Sequence, residues 1–122
     1  MTATAAPTAH RNEIVLVGRV SGEPQVRTLP SGDEITVWRL VVDRDVVEDG
    51  RPGHDTLDCT AWTPRVRRTV ASWEEHDVVE IEGALRRRFW RAGGTLASRY
   101  EVEAFRARRV ARRAVTRRKT PE

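Results

Sequence analysis

The stretch VVEIEGALRRRFWR, residues 78–91, decides the fold. Its first half alternates. Val79, Ile81, Gly83 and Leu85 share one face and Glu80 and Glu82 the other, the period of a strand with one side in a core. Its second half sets Arg86, Arg87, Arg88 and Arg91 around Phe89 and Trp90. Charged side chains at this density are not buried together. The strand therefore leaves the core and carries cations and flat rings into the open.

Downstream, Ala92-Gly93-Gly94 is turn chemistry. Ser98 to Arg106 alternates again, with Tyr100, Val102 and Ala104 on one face, and Tyr100 is expected in the core. Upstream, Thr56 to Trp62 puts Leu57, Cys59 and Ala61 on one face and Asp58, Thr60 and Trp62 on the other. Thr63 and Pro64 then suit an N-cap and a first helical turn. Val66, Val70 and Trp73 have helical spacing and should pack inward. Glu34 to Asp43 reads as a strand, followed by a polar loop from Asp43 to Asp55 that contains Gly50, Pro52 and Gly53. Near the start, Glu13 to Val20 is a β-branched run interrupted by Gly18, which suggests a bulge or bend. Ser21 to Pro24 reads as a turn, Gln25 to Leu29 as a short strand, and Pro30 to Asp33 as another turn.

The order is three or four strands, one short helix, then two strands. This predicts an all-β fold: a five-stranded Greek-key barrel of the OB type, with the helix between strands three and four. Gly18 and Gly83 suit the curvature of a tight barrel. The expected organisation is a disordered leader over 1–11, an OB domain over 12–110 that carries the binding surface, and a basic flexible tail over 111–122.

Composition narrows the function. The 122 residues are 39% hydrophobic and 33% charged, which suits one small domain with tails. The net charge is +4, and Lys119 is the only lysine among 22 basic side chains. Arginine forks onto phosphates and stacks on planar rings. The single cysteine, Cys59, leaves no internal disulfide and no cysteine-based zinc cluster, so a reducing, cytoplasmic setting is expected. No run of about 18 apolar residues is present, and residues 1–11 do not read as a signal peptide. His10, His54 and His76 are scattered without metal-ligand spacing. Asp43 and Asp45 around Arg44 read as a solvated hairpin, and Gly93-Gly94 lacks the following lysine of a phosphate loop. No enzymatic activity, metal or cofactor is expected.

Aromatic and basic residues are interleaved instead. Trp38 precedes Arg39, Trp62 precedes Arg65, Arg67 and Arg68, and Phe89 and Trp90 sit within the 86–91 arginines. Positive charge that tracks phosphates, with ring faces for exposed bases, is what sequence-tolerant binding of a single strand requires. Trp38 is open between stacking and core packing. The Arg65, Arg67 and Arg68 set is open between a binding patch and a solvated helix face. The basic stretch from Arg106 to Lys119 reads equally as a phosphate contact or a solvated end.

The sequence resembles bacterial single-stranded DNA-binding proteins of the SSB family. The resemblance is carried by Asn12 to Val20, Pro24 to Arg27, Pro30 to Gly32, Cys59 to Trp62, Val79 to Arg86, and Phe89-Trp90, over roughly Asn12 to Val110. It implies an OB barrel, sequence-tolerant binding of single-stranded DNA in replication, recombination or repair, and a homo-oligomer, usually a tetramer with a dimer left open, in the cytoplasm at the nucleoid. Trp62 and Trp90 match aromatic positions of the family, and Arg27, Arg86 and Arg88 match basic ones. Together with the interleaving, this gives a candidate site of Trp62, Trp90, Trp38, Phe89, Arg19, Arg27, Arg39, Arg86, Arg87 and Arg88.

The departures are specific. Another stacking tryptophan of the family would fall near Thr56, and the 43–55 loop has no aromatic. In place of the family's acidic terminal tip stands Arg117-Arg118-Lys119-Thr120-Pro121-Glu122. Recruitment of repair proteins through such a tip is not expected, and an accessory paralogue is. Two rivals remain open: an OB assembly module with its tryptophans buried at interfaces, and an RNA binder.

Overall fold

The alternation in the sequence becomes five strands and one helix in a computed structural model that describes residues 9–45 and 49–112. The elements are β1 (Ile14–Thr28), β2 (Glu34–Asp43), β3 (His54–Ala61), α1 (Pro64–Ala71), β4 (Val78–Ala92) and β5 (Thr95–Ala111). Most of the expected disordered leader, the tail beyond Arg112 and residues 46–48 of the long loop lie outside the described residues.

The strands close in the order β1-β2-β3-β5-β4, with β1 also pairing β4. Neighbours are antiparallel except β3 and β5, which run parallel through Cys59↔Val102, Thr60↔Glu103 and Ala61↔Ala104. This is the OB barrel read from the element order, with one helix between the third and fourth strands.

Two boundaries differ from the sequence reading. Ser21 to Pro24 is a bulge inside one continuous β1, because pairing jumps from Ser21↔Arg39 to Gln25↔Val37. Pro24 has no N–H to give a ladder, so a bulge accommodates it where the strand passes on. Strand β5 runs on to Ala111, past the alternation read from Ser98 to Arg106, as Val78 still pairs with Ala111.

Two glycines let the barrel close. A Cβ at Gly18 would overlap the Val41 carbonyl, and one at Gly83 would overlap the Glu103 carbonyl. At Gly83 the β4–β5 register also shifts, from Glu82↔Arg106 to Gly83↔Ala104, leaving Phe105 as the extra residue. A bulge at this point tightens the local bend.

The core holds Val20, Leu40, Cys59, Ala61, Val79, Ile81, Val102 and Ala104 from the strands, with Val66 and Val70 from α1. Thr63 caps α1 by accepting from the Val66 N–H at 3.5 Å, with Pro64 in the first turn. Trp73 is buried as expected. So is Trp38, at 4% exposure, and the two indoles meet edge to face at 5.7 Å. Arg67 ties α1 to β2 through Glu34 at 3.0 Å, and Arg109 ties the end of β5 to the buried Asp77 at 3.2 Å.

Leu40 is fully buried in this core. Leu40→Ala should cost about 3 kcal/mol of stability through lost burial and a residual cavity, read as a lowered urea midpoint. Burial also pushes the Cys59 thiol up to about 12, with the nearby carboxylates of Asp58 and Glu101 adding to the shift. The folded chain keeps this proton, while the unfolded chain releases it near 9.0. Stability should therefore fall as pH rises from that value towards 12. At pH 8 the thiol should react with a disulfide reagent only at the rate of unfolding; rapid labelling of the native chain would contradict its burial.

Candidate nucleic-acid interface

Beyond the barrel rim, the β4–β5 hairpin continues through Arg86↔Glu101, Arg88↔Arg99 and Trp90↔Ala97 to its turn. This extension carries the arginine and aromatic run into the open. It stands across from Trp62, which follows β3 and precedes the cap of α1. On the third side lie the far ends of β1 and β2, where Arg27 pairs with Ile35.

Between these three elements is a groove of about 430 Å³. Its apolar lining comes from Leu29, Ile35, Val37, Trp62, Phe89 and Trp90. Its basic lining comes from Arg27, Arg88 and Arg99, with Thr60 and Glu101 completing the wall. Trp90 is 45% exposed and Phe89 57%, so both offer ring surface. Trp62 is half-buried, and the Arg88 guanidinium lies 5.2 Å from its ring centroid. A second hollow of about 290 Å³ shares Arg27, Val37 and Arg99 with this groove and continues it past Arg39.

Five of the ten candidate residues thus converge: Arg27, Trp62, Arg88, Phe89 and Trp90. Arg39 borders the continuation and is paired with Asp58 at 3.4 Å. Trp38 does not offer a stacking face, because it is packed on Trp73 in the core. Arg19 is held by Asp43 at 3.2 Å, where β1 meets β2, away from the groove lining. Arg86 is engaged by Glu103 at 2.9 Å and lies over Phe105 at 5.6 Å. Arg87 pairs in register with Tyr100, one position off the Arg86–Glu101 and Arg88–Arg99 pairs. Its guanidinium lies between the rings of Phe89 at 4.9 Å and Tyr100 at 5.2 Å.

Tyr100 is a correction. It keeps the alternation with Val102, yet it is 58% exposed because the hairpin has left the barrel at that point. Leu85 is exposed for the same reason, and Asn12 brackets its backbone N–H and C=O at 2.9 and 2.8 Å. Sequence reasoning missed Arg99 and Glu101 as groove residues. Arg99 faces Arg88 across the hairpin, so the two-residue period carried back from the arginine run could have found it.

At the base of the β2–β3 loop, Arg44 and Asp55 form a 2.6 Å pair. The hydrogen bond from Arg44 holds the Asp55 carboxyl below its ordinary value. Among the described residues no group of three or more His, Cys, Asp or Glu could hold a metal ion. No helix among them is long and apolar enough to cross a membrane.

Barrel and groove together define an OB-fold protein whose open face joins cations to aromatic rings. The profile of the single-strand binding protein family matches residues 11–110, and the chain belongs to that family. It is 27% identical over 82 residues to a single-stranded DNA-binding protein of Clostridium tetani, covering 66% of this chain and 57% of that protein. It is 26% identical over 78 residues to single-stranded DNA-binding protein A of Bacillus subtilis, covering 63% of this chain and 45% of that one. The matches thus span about half the length of these relatives. A Plasmodium falciparum SSB solved in complex with ssDNA shares the fold, with a TM-score of 0.67 at 18% identity, over 84% of this chain and 95% of that one.

Proposed function

We propose that this chain binds and protects single-stranded DNA without reading its sequence, with the strand lying in the groove between Trp62, the β4–β5 hairpin and Arg27. The convergence of Arg27, Trp62, Arg88, Phe89 and Trp90 on one groove carries this reading. Trp62 and Trp90 stack on bases, and Phe89 widens the apolar wall. Arg27 lines the groove, where its guanidinium meets a phosphate. Arg39 extends the basic track into the adjoining hollow. The relatives' names and the bound ssDNA of the Plasmodium protein support the same ligand. Such binding serves replication, recombination or repair at the nucleoid.

Stacking accepts any base, while phosphate contacts release counterions. Affinity for oligo-dT should exceed that for duplex of equal length. It should also fall with salt along a log–log slope of about 0.7 per phosphate contacted. Equal affinity for both forms of DNA would contradict a stacking site. A matched oligo-rU competitor separates DNA from RNA preference.

The same reading includes a homo-oligomer, a tetramer in the fullest form. Its support is on β1, where Val15 and Val17 are 62% and 47% exposed. Exposed β-branched residues beside each other on a strand mark an association surface. A Val15→Glu, Val17→Glu chain should sediment as a monomer where the parent does not. An unchanged oligomer would place the interface elsewhere.

A further inference from the structure

Glu101 is only 5% exposed and lies in the wall of the groove, where a polyanion has no use for a carboxylate. A buried charge persists where it has partners of its own. Arg88 Nε donates to Glu101 Oε2 at 2.8 Å. Arg99 approaches Oε1 at 3.6 Å, and the Thr60 hydroxyl reaches Oε2 at 3.4 Å. A second nitrogen of Arg88 donates to Glu103 at 3.2 Å. Held this way, the Arg88 guanidinium covers the Trp62 ring at 5.2 Å. The Trp62 indole N–H is buried and has no hydrogen-bond partner among the described residues. The ion pair that neutralises Arg88 therefore also closes a ring face the groove would otherwise offer.

We infer that Glu101 is a built-in competitor of the nucleic acid: it holds Arg88 and Arg99 in the free chain, with Arg88 lying over Trp62, and a phosphate of the incoming strand takes the arginines over and uncovers the indole for a base. The inference rests on the groove being the single-strand site. Glu101 acts through Arg88 and is a positioning residue. Its effect is to lower affinity and flatten the salt dependence, since each arginine it holds enters the complex already neutralised.

Glu101→Gln keeps the side-chain shape and a hydrogen-bond acceptor while removing the charge. Oligo-dT affinity should rise roughly three- to tenfold, because a charge-assisted partner of Arg88 is replaced by a weaker one. The log–log salt slope should steepen by about 0.7 for each arginine released. A purely structural carboxylate predicts weaker binding on an unchanged slope, and that result overturns the inference. Glu103→Gln is the second variant, since Glu103 is the more exposed of the two carboxylates and shares Arg86 and Arg88. It should move affinity and slope the same way by less. If Glu101→Gln does not fold, Glu103→Gln decides alone: tighter binding on a steeper slope upholds the competitor, and no change or weaker binding overturns it. The parent chain, titrated alongside, separates the two levels. A parent that fails to bind oligo-dT overturns the reading of the groove, whereas a parent that binds beside an unaltered Glu101→Gln overturns only the competitor role.

Discussion

Alanine at both Trp62 and Trp90 should remove most of the affinity for single-stranded DNA and leave the barrel folded. Each base stacked on an aromatic ring contributes about 1–3 kcal/mol, so losing two should cost about 2–6 kcal/mol, roughly 30-fold at the low end. The barrel should survive because the core indoles are a different pair. Trp38 and Trp73 pack on each other inside, whereas Trp90 is 45% exposed and Trp62 lies on the groove. The check is oligo-dT affinity by fluorescence anisotropy beside a thermal unfolding scan. Affinity within twofold of the parent, with an unchanged scan, would remove these rings from the site.

The second large effect concerns the fold. Gly83→Val should abolish cooperative folding. A Cβ there meets the Glu103 carbonyl, which is backbone and cannot rotate away as a side chain can. The clash sits at the register shift between β4 and β5. Opening that shift would also move the pairs beyond it that hold Arg86, Arg88 and Trp90 over the groove. We expect a loss of about 4 kcal/mol or more, the range reserved for backbone strain and overpacking. A chain that melts cooperatively within a few degrees of the parent would contradict the close approach.

These two sites show how much of the molecule was legible beforehand. Alternation along residues 78–85 and 56–62, the helix signal at Thr63-Pro64 and the glycines at 18 and 83 gave the barrel and its helix, because each is a local pattern with a local cause. The Ser21–Pro24 bulge was not legible, since turn residues leave a strand or merely kink it with the same chemistry. It took pairing with β2 to decide. Tyr100 kept its expected face and still lay in solvent, because alternation reports the side of a sheet and not where the barrel beneath it ends. Trp38 could stack or pack on sequence grounds alone, and its contact with Trp73, thirty-five residues away, settled it. The arginines were the least legible. Arg19, Arg39, Arg86 and Arg88 all counted as phosphate ligands by type, yet each has a carboxylate partner. Charge counting cannot see pairing across strands; only register shows it.

A single strand lying against Trp62 and Trp90 would change the emission of both indoles. Titrating intrinsic tryptophan fluorescence with oligo-dT, with duplex in parallel and at two salt concentrations, tests it most directly. Partial quenching by the single strand is expected, from the two groove indoles and not the two core ones, with little response to duplex and weaker binding at higher salt. No quenching by saturating oligo-dT, or equal and purely salt-sensitive binding of both forms, would contradict it.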